Sequence, residues 1–195
     1  IAQDINNTAA TIAEGAKAYG YKQLNETYFD TIRLECPVDA EKVCQEARNN
    51  QMNFLLIDNK TIGISTDETT GCKQVRAILN VLAHSAGKTF GEVCCQKANS
   101  IPASLRRKSA FLTQKVFNAY HSETEMMRYL KKLEVKDLSL NRAMIPLGSC
   151  TMKLNAAMEM IPFTWAEFAN IHPFVPREQA EGYYEMIEDM DHILS

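Results

Sequence analysis

The stretch NFLLIDNKTIGIST, residues 53–66, decides the fold of the first half of this chain. NFLLI and TIGIST are short apolar runs of strand-forming composition, and Asp58-Asn59-Lys60 between them is typical of a tight turn. The stretch therefore predicts two strands joined by a turn.

Outward from this pair, the pattern adds one strand and three helices. Phe29–Cys36 alternates, and Pro37 ends the strand. Residues 39–49 predict a helix opened by Asp39. Apolar residues at helical spacing predict the other two helices, the first stopped by Gly20: they are Ile1, Ile5, Ala9, Ile12, Ala13 and Ala16, and later Val75, Ile78, Leu79 and Leu82. The order α-β-α-β-β-α over 1–99 predicts a small α/β (more narrowly α+β) domain, whose sheet is covered on one face by helices.

Beyond residue 99 the pattern changes twice. Residues 100–143 are predicted to be a linker with one helix at about 122–134, which opens with a capping box formed by Ser122 and Glu125. Residues 144–195 form a third region, which prolines break into short pieces. Thr164 and Glu167 offer another capping box there, and 178–194 predicts a final helix.

Composition narrows the class of protein. A net charge of −3, with 46% hydrophobic and 23% charged residues, describes an ordinary globular chain and favours neither nucleic acid nor a membrane as partner. The six cysteines match no zinc spacing, and we expect them to be reduced. The first residue is not Met and lies within a helical pattern, so we expect a piece of a longer polypeptide.

The densest polar motif is Gly148-Ser149-Cys150-Thr151, followed by Lys153 and Asn155. Its hydroxyls and successive amides could donate hydrogen bonds to a carboxylate or a phosphate, and Lys153 would add a positive charge. A Ser/Thr-rich cap on a short helix explains the same residues, and the pattern by itself leaves both interpretations open.

Other candidate groups are also open to two interpretations. The hydroxyls of Thr69 and Thr70, between a strand and a helix, could contact a ligand or only cap the helix. His121 could act as acid or base with Glu123 or Glu125, or only pack at a helix entrance. The methionines at 126–127 and at 158 and 160 are predicted to fill gaps in a core. No metal site and no catalytic pair can be assembled from the residues.

Residues 120–187 contain runs such as HSETEMMRY and IPLGSCTMKLN, and this region resembles the junction between the two halves of the glycine cleavage system P-protein family. Residues 1–99, with FDT at 29–31 and the strand–DETT–helix unit at 61–83, resemble the small C-terminal subdomain of the family's first half. The resemblance covers the whole chain, more loosely at 36–60 and 84–115.

The resemblance implies that 1–99 is the small subdomain of a fold type I transferase-like half, that 100–143 links the halves, and that 144–195 begins the second half. It implies a decarboxylating glycine dehydrogenase that uses pyridoxal 5'-phosphate and works as a dimer. That enzyme releases carbon dioxide from glycine and passes the aminomethyl group to the lipoyl arm of H-protein.

The same resemblance assigns no catalytic residue to this chain, because the family's cofactor-bearing lysine lies beyond the position of Ser195. Lys153 belongs to a different motif, so we expect the isolated chain to be inactive. Ser149, Cys150, Thr151, Lys153, Asn155 and Thr69 are the predicted cofactor- or substrate-binding residues.

A cytoplasmic location in a bacterium, or the mitochondrial matrix in a eukaryote, is implied. In the isolated chain, apolar side chains at 116–130 and 158–187 should be exposed, because they would pack against other parts of the enzyme. Two alternatives remain at this point: a regulatory α/β module that binds a small molecule, or a non-catalytic structural or interaction subunit.

Overall fold

The computed structural model describes residues 1–92, 100–136, 139, 142 and 156–195. The chain divides into two compact units, Ile1–Lys108 and Ser109–Ser195, which we call unit 1 and unit 2. The division into regions 1–99, 100–143 and 144–195 stays a prediction.

Unit 1 contains every element predicted for residues 1–99. The helices are α1 (Ala2–Ala18), α2 (Ala40–Asn49) and α3 (Cys72–Ser85), and the strands are β1 (Lys22–Gln23), β2 (Thr31–Glu35), β3 (Leu55–Asp58) and β4 (Thr61–Ser65). The short strand β1 was not predicted. The α+β class is confirmed.

The four strands form one antiparallel sheet in the order β1-β2-β4-β3. Ile32 pairs with Ile64 and Leu34 with Ile62, so the apolar side chains of the two central strands share one face. The Asn25 side chain lengthens β1 by donating to the Thr31 carbonyl (2.9 Å) and accepting from the Arg33 amide (2.7 Å).

The core of unit 1 lies between that face and the three helices, as predicted. Ile32, Leu34 and Ile62 are each 0% exposed, and α1 and α3 contact each other over Leu79 and Leu82. Asp39 caps α2 by accepting from the Glu41 amide at 3.0 Å, which confirms the predicted helix start.

The described part of unit 2 contains the helices α4 (Glu123–Glu134), α5 (Ala157–Met160), α6 (Ala166–Ala169) and α7 (Glu181–Leu194). Short 3-10 turns occupy Lys115–Asn118, Ile161–Thr164 and Arg177–Gln179, and another lies at Ala103–Leu105 in unit 1. The Ser122–Glu125 capping box opens α4 as predicted.

Two predictions for unit 2 are wrong. Thr164 does not cap a helix, because its hydroxyl donates to the Ile161 carbonyl and α6 begins only after Trp165. Met126, Met127, Met158 and Met160 are not core residues, being 43–76% exposed. Among the described helices of this unit, α4, α6 and α7 bury none of their side chains. Exposure of apolar side chains within 116–130 and 158–187 is therefore confirmed.

Candidate functional site

Of the six predicted binding residues, the structure describes Thr69. The other five lie outside the described residues: Ser149, Cys150, Thr151, Lys153 and Asn155. Their proposed contact with cofactor or substrate, and that of Thr69, stays a prediction.

Thr69 belongs to the segment between β4 and α3, residues 66–70, which we call the strand-end corner. The Asp67 carboxylate accepts hydrogen bonds from the Thr69 amide (2.9 Å), the Thr69 hydroxyl (2.7 Å) and the Thr70 hydroxyl (3.0 Å). The Thr69 hydroxyl bond is the main reason why the pKa of Asp67 lies below its usual value. Both hydroxyls are thus engaged within the corner, and Gly71, which precedes α3, makes no side-chain cap.

Thr66 fixes the corner to the start of β2. Its amide donates to the Asp30 carbonyl at 3.1 Å, and its hydroxyl lies 3.2 Å from the same oxygen. Thr66 is 5% exposed, so these polar groups are paired away from water. The FDT motif at 29–31 therefore lies against the end of β4.

Asn6 of α1 binds the loop that leads into β2. Its side-chain amide donates to the Phe29 carbonyl at 2.6 Å, and Asn6 is 3% exposed. The sequence analysis did not single out Asn6, Asp30 or Thr66. A signal for Asn6 was present, because it occupies the apolar spacing of α1, three residues before Ala9 and seven before Ala13.

A shallow depression of about 130 Å³ lies between the corner and the start of α1. It is lined by residues that include three carboxylates and no lysine or arginine side chain: Ile1, Asp4, Ile5, Thr8, Asp67, Glu68 and Thr70. A dianionic phosphate would be repelled by this charge. This acidic depression does not fit a phosphate by itself, and the predicted contact of Thr69, which is not among its lining residues, stays a prediction.

A second depression, of about 430 Å³, lies where β2 leads into α2 and includes Cys36 and Lys60. Burial raises the pKa of the Cys36 thiol to about 12, with the nearby Cys44 and Asp58 adding to the effect. A thiol that stays protonated is a poor nucleophile. Cys36 therefore supplies no reactive thiolate to this depression.

Three histidines lie beside a helix cap, in a turn and in a surface pair. Glu125, one proposed partner of His121, accepts from the Ser122 amide and hydroxyl (3.2 and 3.0 Å), so its carboxylate serves the helix cap. His172 occupies a turn, where its Nδ1 accepts from the Phe174 amide at 3.0 Å. His84 pairs with Glu46 on the surface at 3.0 Å.

The described residues contain neither a metal-binding cluster nor a membrane-spanning helix. No three or more histidine, cysteine, aspartate or glutamate side chains are grouped there so that they could hold a metal ion. Within the same ranges, no helix has the length and apolarity required to cross a bilayer.

The geometry of the corner does not indicate a protein family, but comparison of the sequence with known proteins does. Residues 1–82 match the family described as Glycine cleavage system P-protein. Similar curated proteins are "Glycine dehydrogenase (decarboxylating)" of Paraburkholderia xenovorans, 45% identical over 100% of this chain, and "Glycine dehydrogenase (decarboxylating) 2" of Pseudomonas aeruginosa, 46% identical over 98%. The human "Glycine dehydrogenase (decarboxylating), mitochondrial" is 44% identical over 98%.

The chain spans about a fifth of the length of these relatives, at 21%, 20% and 19%. It therefore corresponds to a fragment of them, and the resemblance found at residues 1–99 and 120–187 is confirmed.

Proposed function

Because this chain is homologous over its whole length to a part of the glycine cleavage system P-protein family, we propose that it works as a segment of a glycine-decarboxylating enzyme. The observation that carries the proposal is the 45% identity over 202 aligned residues, which includes both units rather than one shared domain. A regulatory module grafted onto an unrelated protein would not be expected to share both.

The fold of unit 1 supports a specific position within that enzyme. An antiparallel sheet covered on one face by three helices is compatible with the small C-terminal subdomain of a fold type I transferase half. On this proposal unit 2 contains the linker helix α4 and the first elements of the second half.

The cofactor proposed for the complete enzyme is pyridoxal 5'-phosphate. The depression beside the strand-end corner is acidic and does not fit the phosphate, so we assign the main anion-binding role to residues 149–155, where Lys153 is cationic and Ser149 and Thr151 can donate hydrogen bonds. The lysine that bears the cofactor is proposed to lie outside this chain, so that the chain by itself is inactive.

The proposed reaction releases the carboxyl group of glycine as carbon dioxide. The remaining aminomethyl group passes to the lipoyl arm of H-protein, whose disulfide is reduced as the new carbon–sulfur bond forms. Glycine and lipoylated H-protein are therefore the proposed substrate and partner, in the bacterial cytoplasm or the mitochondrial matrix.

Exposed apolar faces support contact with the remaining parts of the same enzyme. On α4, Met127 and Leu130 are 63% and 53% exposed, and on α7, Ile187 and Met190 are 57% and 56% exposed. Helix faces of this kind are normally covered in a complete protein. Dimerisation of the complete enzyme is proposed from the family alone.

The test is carbon dioxide release by the longer polypeptide that contains this chain, supplied with pyridoxal phosphate and glycine labelled at its carboxyl carbon. We expect release that depends on lipoylated H-protein, and unlipoylated H-protein is the matched control. A polypeptide that binds the cofactor but releases no label with either form of H-protein would refute the proposal.

A further inference from the structure

Asn6 and Ser100 make a buried side-chain contact across 94 residues of sequence. The Asn6 amide nitrogen lies 3.0 Å from the Ser100 hydroxyl, and the two residues are 3% and 8% exposed. Buried polar side chains of this kind persist where their hydrogen bonds fix a particular arrangement.

The Ser100 hydroxyl acts both as a hydrogen-bond acceptor and as a donor. It accepts from Asn6 and donates to the Tyr28 carbonyl at 2.7 Å. Asn6 in turn donates to the Phe29 carbonyl at 2.6 Å and lies 3.3 Å from the Tyr28 carbonyl. Three separate parts of the chain, α1, the loop before β2 and the residue at 100, therefore share one small network.

Ser100 is also the last buried residue before the chain leaves the core of unit 1. Residues 102–108 are exposed, and they begin with a turn in which the Leu105 and Arg106 amides donate to Pro102 and Ala103. The Arg106 side chain closes this turn by donating to the Ile101 carbonyl at 3.2 Å. The exit turn therefore begins two residues after the Asn6–Ser100 contact.

The other end of the network leads to the strand-end corner. Tyr28 and Phe29, whose carbonyls receive the network's hydrogen bonds, are followed directly by Asp30. The Asp30 carbonyl accepts from the Thr66 amide at 3.1 Å. Movement of the loop at 28–30 would therefore reach the corner through a backbone hydrogen bond.

We propose that Asn6 and Ser100 form a conformational clasp that couples the exit turn at 101–106 to the strand-end corner at 66–70. While the clasp is closed, both segments are held against α1. When it opens, Tyr28 loses the Ser100 donor, residues 28–30 loosen, and the Thr66–Asp30 bond opens more often. Through the clasp, a pull on the chain after residue 100 would change the order of the corner.

The experiment measures amide hydrogen exchange in the 195-residue chain for two variants, Asn6→Ala and Ser100→Ala. The informative amides are Leu105 and Arg106 in the exit turn and Thr66 in the corner. Loss of one well-formed hydrogen bond predicts about tenfold faster exchange at all three positions. Exchange within the buried part of α3 follows global unfolding and therefore gives the loss of overall stability of each variant.

Matched controls come from neighbouring residues of the same type. Asn7→Ala removes a side chain on the same helix that accepts from Gln3, and Ser85→Ala removes a hydroxyl that donates to Val81 within α3. Neither control should change exchange at Thr66.

Faster exchange in both segments, at amides that the matched controls leave unchanged, supports the clasp. Faster exchange confined to the exit turn, or no change at Thr66, overturns it, as does an equal effect of the controls. If Asn6→Ala fails to fold, Ser100→Ala decides, because it removes one oxygen atom and leaves the Asn6–Phe29 hydrogen bond in place.

Discussion

Gly15 of α1 lies close against Leu79 of α3, and the effect of replacing it on stability depends on that one neighbour. A Cβ added at Gly15 would lie 2.7 Å from both Cδ atoms of Leu79. Carbon atoms without strain lie about 3.5–4.0 Å apart. Leu79 is 1% exposed, so its side chain has little room to retreat.

Two opposing terms decide the free energy of unfolding of Gly15→Ala. Helix propensity favours alanine by about 1 kcal/mol, whereas overpacking a filled core costs about 1–3 kcal/mol. We expect a net destabilisation of about 1 kcal/mol. Leu79→Ala alone should cost about 2–5 kcal/mol.

In the Leu79→Ala background, the effect of Gly15→Ala on the free energy of unfolding should change from destabilising to stabilising. Once Leu79 is alanine, the new methyl group at position 15 enters free space, so only the gain in helix propensity remains. Gly15→Ala should therefore stabilise the Leu79→Ala protein by about 1 kcal/mol, which makes the two changes strongly non-additive.

The assay should report on unit 1 alone. Cys36 and Cys44 are buried there and Cys72 is exposed, so labelling of thiols in increasing urea, followed by peptide mass spectrometry, gives the unfolding midpoint of the unit. Cys72 should be labelled at every urea concentration and serves as the internal control. Additive changes, or a Gly15→Ala variant that is more stable than the parent, would refute the packing argument.

Three further predictions concern titration, the corner and the cofactor. Because the pKa of Cys36 is raised, its neutral thiol contributes stability below about pH 9 that is lost as the pH rises towards about 12. In the Cys36→Ala variant, the urea midpoint of unfolding should therefore fall less steeply over this pH range. Asp67→Asn should lower the urea midpoint by an amount equivalent to about 1 kcal/mol or less, since the corner is exposed. Because the pKa of Asp67 is lowered, this difference should be present at neutral pH and vanish in acid, where the parent carboxylate is protonated. Borohydride reduction of the chain with pyridoxal phosphate should give no stoichiometric adduct at Lys153, and a single adduct there would contradict the proposal that the cofactor-bearing lysine lies elsewhere.

The fold of unit 1 was largely predictable because its signals are local. Alternation placed Ile32 and Leu34 on the buried face, and Asp39 marked the start of α2. Strand β1 was not predictable, since Lys22 and Gln23 show no pattern and pair with β2 only in the folded sheet.

The candidate site was less predictable because it depends on contacts distant in sequence. The strand pattern that ends at Asp67-Glu68-Thr69-Thr70 located the corner. No local sequence signal shows that Thr69 donates to Asp67 or that Thr66 contacts Asp30. The Asn6–Ser100 pair is 94 residues apart. In unit 2 the periodicity gave α4 and α7 correctly, whereas the exposure of their apolar side chains was predicted from the family resemblance and not from the periodicity.

The most direct test of the central proposal compares this 195-residue chain with the longer polypeptide that contains it, both given pyridoxal phosphate, lipoylated H-protein and carboxyl-labelled glycine. The account predicts labelled carbon dioxide from the longer polypeptide and none above background from the chain alone. Release by the chain alone, or by neither, would contradict it.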